Sequence, residues 1–245
     1  MSVHLGIDVS KGKWLVVALE EKKAWWRLCH TLEECLQSWP EATTVLVDIP
    51  LGLPESIMDQ RPESQARKQL KGKGSSVFPV PCRQAVYTKE KEQAKQVNRQ
   101  ILGKSISEQT WNIMGKIRHA DEFLQEHPTW KNRILESHPE LCFAKFRGGV
   151  PVLEKKTTEE GRRIRVELLE KVLPGMKAFL EETLETMEKG RRDDLLDAAC
   201  LAVAGKIMGN SGVGRIPEGP QDDSQGILMQ MVYPKSKIEK NRSKK

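Results

Sequence analysis

The chain has 245 residues, 38% hydrophobic and 30% charged, with a net charge of +6. That length suffices for one large domain or two small ones, and no apolar run approaches the roughly 20 residues that a membrane helix needs. Most of the excess charge lies in the terminal "PKSKIEKNRSKK", six cations against Glu239 alone, so the body is nearly neutral and lacks the broad basic composition of a protein that grips a duplex.

"HLGIDVS" reads as a short buried strand, Lys11-Gly12-Lys13 as a turn, "WLVVALEE" as a second strand and "KAWWRLCH" as a third. Short connections make these three an antiparallel meander. "TLEECLQSWP" is a helix with Thr31 as N-cap, Glu34 completing a capping box and Pro40 as the stop. "ATTVLVDIP" is rich in β-branched residues and forms a buried fourth strand. From Leu51 to about Trp130 the pattern shifts to Pro/Gly loops and helices. There is a basic helix over Ser64–Leu70, a loop "KGKGSSVFPVPCRQAVY" with one extended piece, a helix ending at Gly103, and another across "SISEQTWNIMGKIRHADEFLQEH". A strand returns from about Ile134 to Ser137. Helices follow from about Thr158, across "KAFLEETLETMEKG" to Gly190, and along the apolar "RRDDLLDAACLAVAGKIMG". "GILMQMVYP" reads as a last strand before a basic tail, residues 234–245, expected to be disordered.

Acids interrupt apolar elements at four places. Asp8 lies within the first strand, Asp48 ends the fourth, Glu136 sits in "ILES", and Asp194 and Asp197 share one face of the last helix through their i,i+3 spacing. A buried, unpaired carboxylate is costly, and the usual remedies are a salt bridge, backbone donors or a metal ion. Each acid has a bland explanation alone: Asp48 can bond turn amides, and acids at a helix start are favoured by capping and the dipole. Together, two acids at the carboxyl half of neighbouring strands and two on a helix face can converge. Clustered oxygens of that kind suit Mg²⁺ or Mn²⁺, and two such ions support in-line phosphoryl displacement.

The order β-β-β-α-β, insertion, β, helices resembles the ribonuclease H-like fold. In that fold the first strand carries a metal-binding Asp, matched by Asp8. RuvC-like resolvases have a second acid at the end of the fourth strand, matched by Asp48 in place of the usual Glu, and a last helix of the form D-x-x-D-A, matched by "DLLDAACLAVAG" from Asp194. "GIDVSK" also resembles the opening of DEDD insertion-sequence transposases. The whole chain, about residues 3 to 233, most resembles the domain of unknown function 429 family, grouped with ribonuclease H-like proteins as a predicted nuclease. The pieces that carry this are "GIDVSKGKW", "VDIPLGLP", "ARKQLKGKGSSVFPVPCR", "GKSISEQTWNIMGKIRHADEFL", "LESHPELCF", "EKKTTEEGRRIRVELL", "RDDLLDAACLAVAG" and "DDSQGILMQMVYP".

The other matching pieces nominate substrate contacts. In "ESHPE", His138 stands between Glu136 and Glu140 and is a ligand, a proton carrier or simply the residue of a strand-end turn. Arg67 and Arg83 flank a rigid loop and suit a phosphate or carboxylate. Ser107, Gln109 and Lys116 gather near one helix start, where they read substrate or cap and pair locally. Trp25 and Trp26 are expected to pack on opposite sides of their strand. The five cysteines are odd in number and have no CxxC pair. They are expected to be free small hydrophobes in a reducing compartment. With no signal-peptide pattern, the expected location is cytoplasmic.

The fold expectation is α/β: a ribonuclease H-like mixed five-stranded sheet, its first three strands antiparallel, flanked by helices. A helical insertion (about 51–130) lies between strands four and five of a single domain over 1–233. The function that the resemblance implies is Mg²⁺- or Mn²⁺-dependent hydrolysis of phosphodiester bonds in nucleic acid or a nucleotide, by a carboxylate-bound two-metal mechanism in which Asp8 would bridge the two ions. Asp8, Asp48, Asp194 and Asp197 would be metal ligands, and Glu136 a further ligand or base. One alternative is a non-catalytic nucleic-acid or nucleotide binding module. A phosphotransferase of the actin-like superfamily fits worse, because this length holds one such core and lacks the second phosphate loop.

Overall fold

The computed structural model describes residues 2–21 and 23–235. The basic tail expected to be disordered lies, from residue 236 on, outside the described residues. Strands β1 (Val3–Ser10), β2 (Lys13–Glu20) and β3 (Lys23–Cys29) form an antiparallel meander, followed by helix α1 (Leu32–Gln37) and strand β4 (Thr44–Val47). The β1–β2 turn is tight because Lys11 and Gly12 both take positive φ, which matches the twist of a hairpin. The Thr31 hydroxyl caps α1 by accepting from the Glu34 amide, and Glu34 reaches back to the His30 amide.

The insertion carries α2 (Glu63–Gln69), α3 (Arg83–Val86), α4 (Lys91–Leu102) and α5 (Glu108–Glu126), and the chain then enters β5 (Ile134–Glu136). Next come α6 (Pro139–Phe146), α7 (Glu159–Val172), α8 (Met176–Thr186) and α9 (Arg192–Ser211), then a hairpin of β6 (Val213–Ile216) and β7 (Met231–Pro234). The large sheet has the order β3-β2-β1-β4-β5, with β4 parallel to both β1 and β5, and the expected mixed sheet with its insertion is what is found. It has ribonuclease H-like topology. One face packs on α6, α7, α8 and α9, and the other on α1 and α5. Among the described residues no helix is long and apolar enough to cross a membrane.

The structure departs from the sequence reading at several points. "HPELCF" is the helix α6 rather than a strand-end turn, because Pro139 sits at its first position, where a missing N–H costs nothing. Part of the expected loop at "CRQAV" closes into the short helix α3. Helix α8 ends at Thr186, before the expected stop at Gly190, which lies in the 3₁₀ turn leading to α9. The last expected strand shrinks to β7 and pairs with β6, which the sequence did not announce. Trp25 and Trp26 are 49% and 38% exposed. They do point to opposite faces, but β3 is a sheet edge and each ring is only partly covered there. All five cysteines are free and buried.

The candidate functional site

The site begins with a parity rule. Alternate strand residues face opposite sides. On β1, Leu5 and Ile7 enter the core under α1 and α5, while His4, Gly6, Asp8 and Ser10 face α9. Helix α9 lies almost on the backbone of this row. A Cβ on Gly6 would stand 2.0 Å from the Ala198 carbonyl oxygen and 2.3 Å from the Ala202 amide nitrogen. The close approach carries Asp197, one residue before Ala198, over Asp8, two residues beyond Gly6. On β4, Leu46 belongs to the α9-side core and Val45 and Val47 to the other, so Asp48 continues the α9-facing row. Its amide donates to the Ile7 carbonyl at 2.9 Å, holding the two strand ends in register.

Asp8, Asp48 and Asp197 therefore converge: one ligand oxygen from each lies within 4.8 Å of the others. They line a cavity of about 240 Å³ with Asp194 and Lys156. Burial, then repulsion from Asp48 and Asp197, drives the Asp8 carboxyl well above its ordinary value. Burial pushes Asp48 up to about 6, opposed by His138. Lys156 Nζ bonds Asp197 Oδ2, and the field of Asp197, Asp8 and Asp48 holds its ammonium above the usual range. Asp197 Oδ1 is buried and has no hydrogen-bond partner. Three carboxylates with a spare buried oxygen form a hard donor set that fits a Mg²⁺-like divalent cation.

The remaining sequence candidates fall into two groups. Asp194 lines the same cavity outside the triad, its pKa raised by burial and partly restored by a hydrogen bond from Ser10. His138 and Gln109 also line the cavity. His138 Nε2 lies 3.2 Å from the Ser76 carbonyl, which can only accept; Nε2 therefore carries the hydrogen, and in the neutral ring Nδ1 is a bare acceptor, buried and unpartnered.

The other residues lie outside the cavity. Glu136 pairs with Val47 across the sheet, so it faces away from Asp8. There it accepts from Arg61 and from the Leu51 amide. Arg83 is committed to Glu55, Asp121 and Asp223. Arg67 Nε donates to the Val77 carbonyl, Ser107 caps α5, and Lys116 donates to the His30 carbonyl while lying over the Trp14 ring.

Sequence reasoning missed Lys156 and gave Glu140 no role of its own. Glu140 lines the cavity and pairs with the fully buried Arg165. Nothing in "EKKTTEEG" separates Lys156 from Lys155; only the N-cap at Thr158 hinted that the preceding loop was structured.

The model of the family described as "Protein of unknown function (DUF429)" matches residues 6–222, and the chain belongs to that family. No curated protein and no solved structure matches the chain.

Proposed function

We propose that the protein hydrolyses phosphodiester bonds in nucleic acid or a nucleotide, using Mg²⁺ or Mn²⁺ held by Asp8, Asp48 and Asp197. The convergence of these three carboxylates at the strand ends of a ribonuclease H-like sheet carries the reading. When bound, such an ion acts as a Lewis acid on a phosphoryl oxygen and makes water deprotonation accessible at neutral pH. The chain's own groups do the rest. The Lys156 ammonium offers a positive charge to the phosphate oxygens. His138 Nδ1 is a free acceptor positioned by the Ser76 carbonyl to take a proton. Phe78 and Ile113 give the cavity an apolar wall that limits water and suits a nucleoside face.

The small cavity and the near-neutral body favour a nucleotide, a cyclic phosphodiester or a single-strand end over a gripped duplex. The test is a panel of these substrates and duplex DNA and RNA, each with Mg²⁺, Mn²⁺ or a chelator. Cleavage that needs the cation and falls to background in Asp8→Asn supports the reading. Full activity in folded Asp8→Asn, or cation-independent cleavage, overturns it. Tight binding of a nucleotide with no turnover on any substrate would favour the non-catalytic binding module instead.

A further inference from the structure

Lys156 is not an ordinary surface lysine. The peptide that presents it is pinned from several sides. The Lys155 carbonyl accepts from the Thr158 amide at 3.0 Å and from the Thr158 hydroxyl at 2.8 Å. Helix α7 presses on the same carbonyl at Gly161, where a Cβ would stand 2.0 Å from the oxygen. Arg165, fully buried, donates to the Glu154 carbonyl at 3.1 Å and to the Gly161 carbonyl at 2.9 Å. The loop is built, and it delivers one ammonium into a cluster of buried acids.

The cluster then divides into two charge positions. Asp197 Oδ2 holds Lys156, and Asp197 Oδ1 has no partner. Asp197 also supplies one ligand oxygen to the group it forms with Asp8 and Asp48, so its carboxylate has one oxygen engaged by the lysine and one still open. Donor atoms within 4.8 Å of one another suit a single ion, since oxygens on opposite sides of one cation at about 2.1–2.4 Å are separated by no more than that. The charges also close: three triad carboxylates balance one divalent cation plus one ammonium. Asp194, the fourth acid, lines the cavity but stands outside this group of three.

We infer that Lys156 is a resident second cation, so that the site takes one divalent ion per chain where the family resemblance suggested two. Its ammonium, held on Asp197, would be the fixed charge that contacts the phosphate beside the single ion. This rests on the proposed metal-dependent reading, but it is tested by stoichiometry rather than turnover.

The experiment is Mn²⁺ titration of the full chain by calorimetry, with electron paramagnetic resonance of the loaded protein. The wild type is expected to bind one ion, with an isolated-ion spectrum. Lys156→Ala is expected to bind two, with the exchange-coupled signal of ions about 3.5–4 Å apart. Lys156→Arg, which keeps the charge, and Lys155→Ala, which removes the neighbouring one, are expected to stay at one. Circular dichroism confirms that each variant is folded, and Lys156→Gln replaces the alanine variant if that one is not. Two coupled ions in the wild type overturn the inference and leave the metal reading standing. One ion in both the wild type and the charge-removed variant also overturns it. No ion in the wild type overturns the metal reading itself.

Discussion

The α9–β1 seam and the insertion between β4 and β5 are held together by opposite means. At the seam, side chains are nearly absent: Gly6, Ala198 and Ala202 let a helix rest on a strand backbone, and further along Gly205 leaves room for the Thr44 side chain. In the insertion, long arginines do the work. Arg61 joins the Leu51 and Gly52 carbonyls to Glu63 and Glu136, and Arg83 joins Glu55, Asp121 and Asp223. The first kind of contact fixes distance to a fraction of an ångström, because backbone atoms cannot yield. The second fixes loops that have little core of their own, through charges that must be paired once buried. The acid cluster lies on the seam, where positional precision is greatest, and the insertion contributes the cavity wall.

The largest effect expected is at the seam. Gly6→Val places atoms inside the α9 backbone and is expected to leave no cooperatively folded protein, a loss of more than about 4 kcal/mol. A normal melting transition in that variant would break the account of how Asp8 and Asp197 meet. In the insertion, Arg83→Ala strands Asp121 and Asp223 and is expected to cost about 3–5 kcal/mol. Hydrogen exchange should rise in residues 51–133 while the β1–β2 amides stay protected.

Smaller effects separate function from folding. Asp48→Asn removes one member of a repelling buried group, so the metal-free protein should gain roughly 1 kcal/mol in urea denaturation while losing Mn²⁺ binding in calorimetry. The pH dependence follows with the same sign. Asp48 titrates at about 6 in the folded chain against 3.8 ordinarily. Between those values the native state holds a proton that the unfolded state has lost, so metal-free stability falls as pH rises from about 4 through about 6. Asp8, raised well above its ordinary value by burial and by repulsion from Asp48 and Asp197, adds to the fall with the same sign. Melting temperature against pH in a chelator should show this slope, and saturating Mg²⁺ should flatten or reverse it; a metal-free protein that gains stability over that window contradicts the cluster's electrostatics. The smallest effect is expected at the insertion's exposed tip. Met58 is 79% exposed, and Met58→Ser should change stability by no more than about 0.5 kcal/mol, since arginines rather than apolar contacts hold that loop.

Much was legible from the sequence. Alternation and β-branching marked the strands, turn residues marked the meander, and an acid within one core strand and another at the end of a second were detectable anomalies. Asp8 and Asp48 could be named because a buried carboxylate needs a reason. Glu136 looked equivalent by the same test and is not. Its strand register with β4 turns it to the opposite face, where Arg61 neutralises it, and register is a property of pairing rather than of a strand's own residues. Arg83 looked like an anion contact for the right chemical reason, but Glu55, Asp121 and Asp223 had already claimed it, while Arg67 lies away from the acid cluster with its Nε on the Val77 carbonyl.

The local sequence determined the elements of this protein, its turn and cap chemistry, and the presence of acids that a plain core would not carry. Those depend on short-range propensity and on the cost of burying charge, both written in neighbouring residues. Which acids share a point, which arginines are already spent, and that one lysine of an unremarkable pair enters the cluster were decided only by the tertiary structure. They depend on strand register, on helix α9 lying against a glycine, and on a loop pinned by a buried arginine, contacts between residues far apart in the chain.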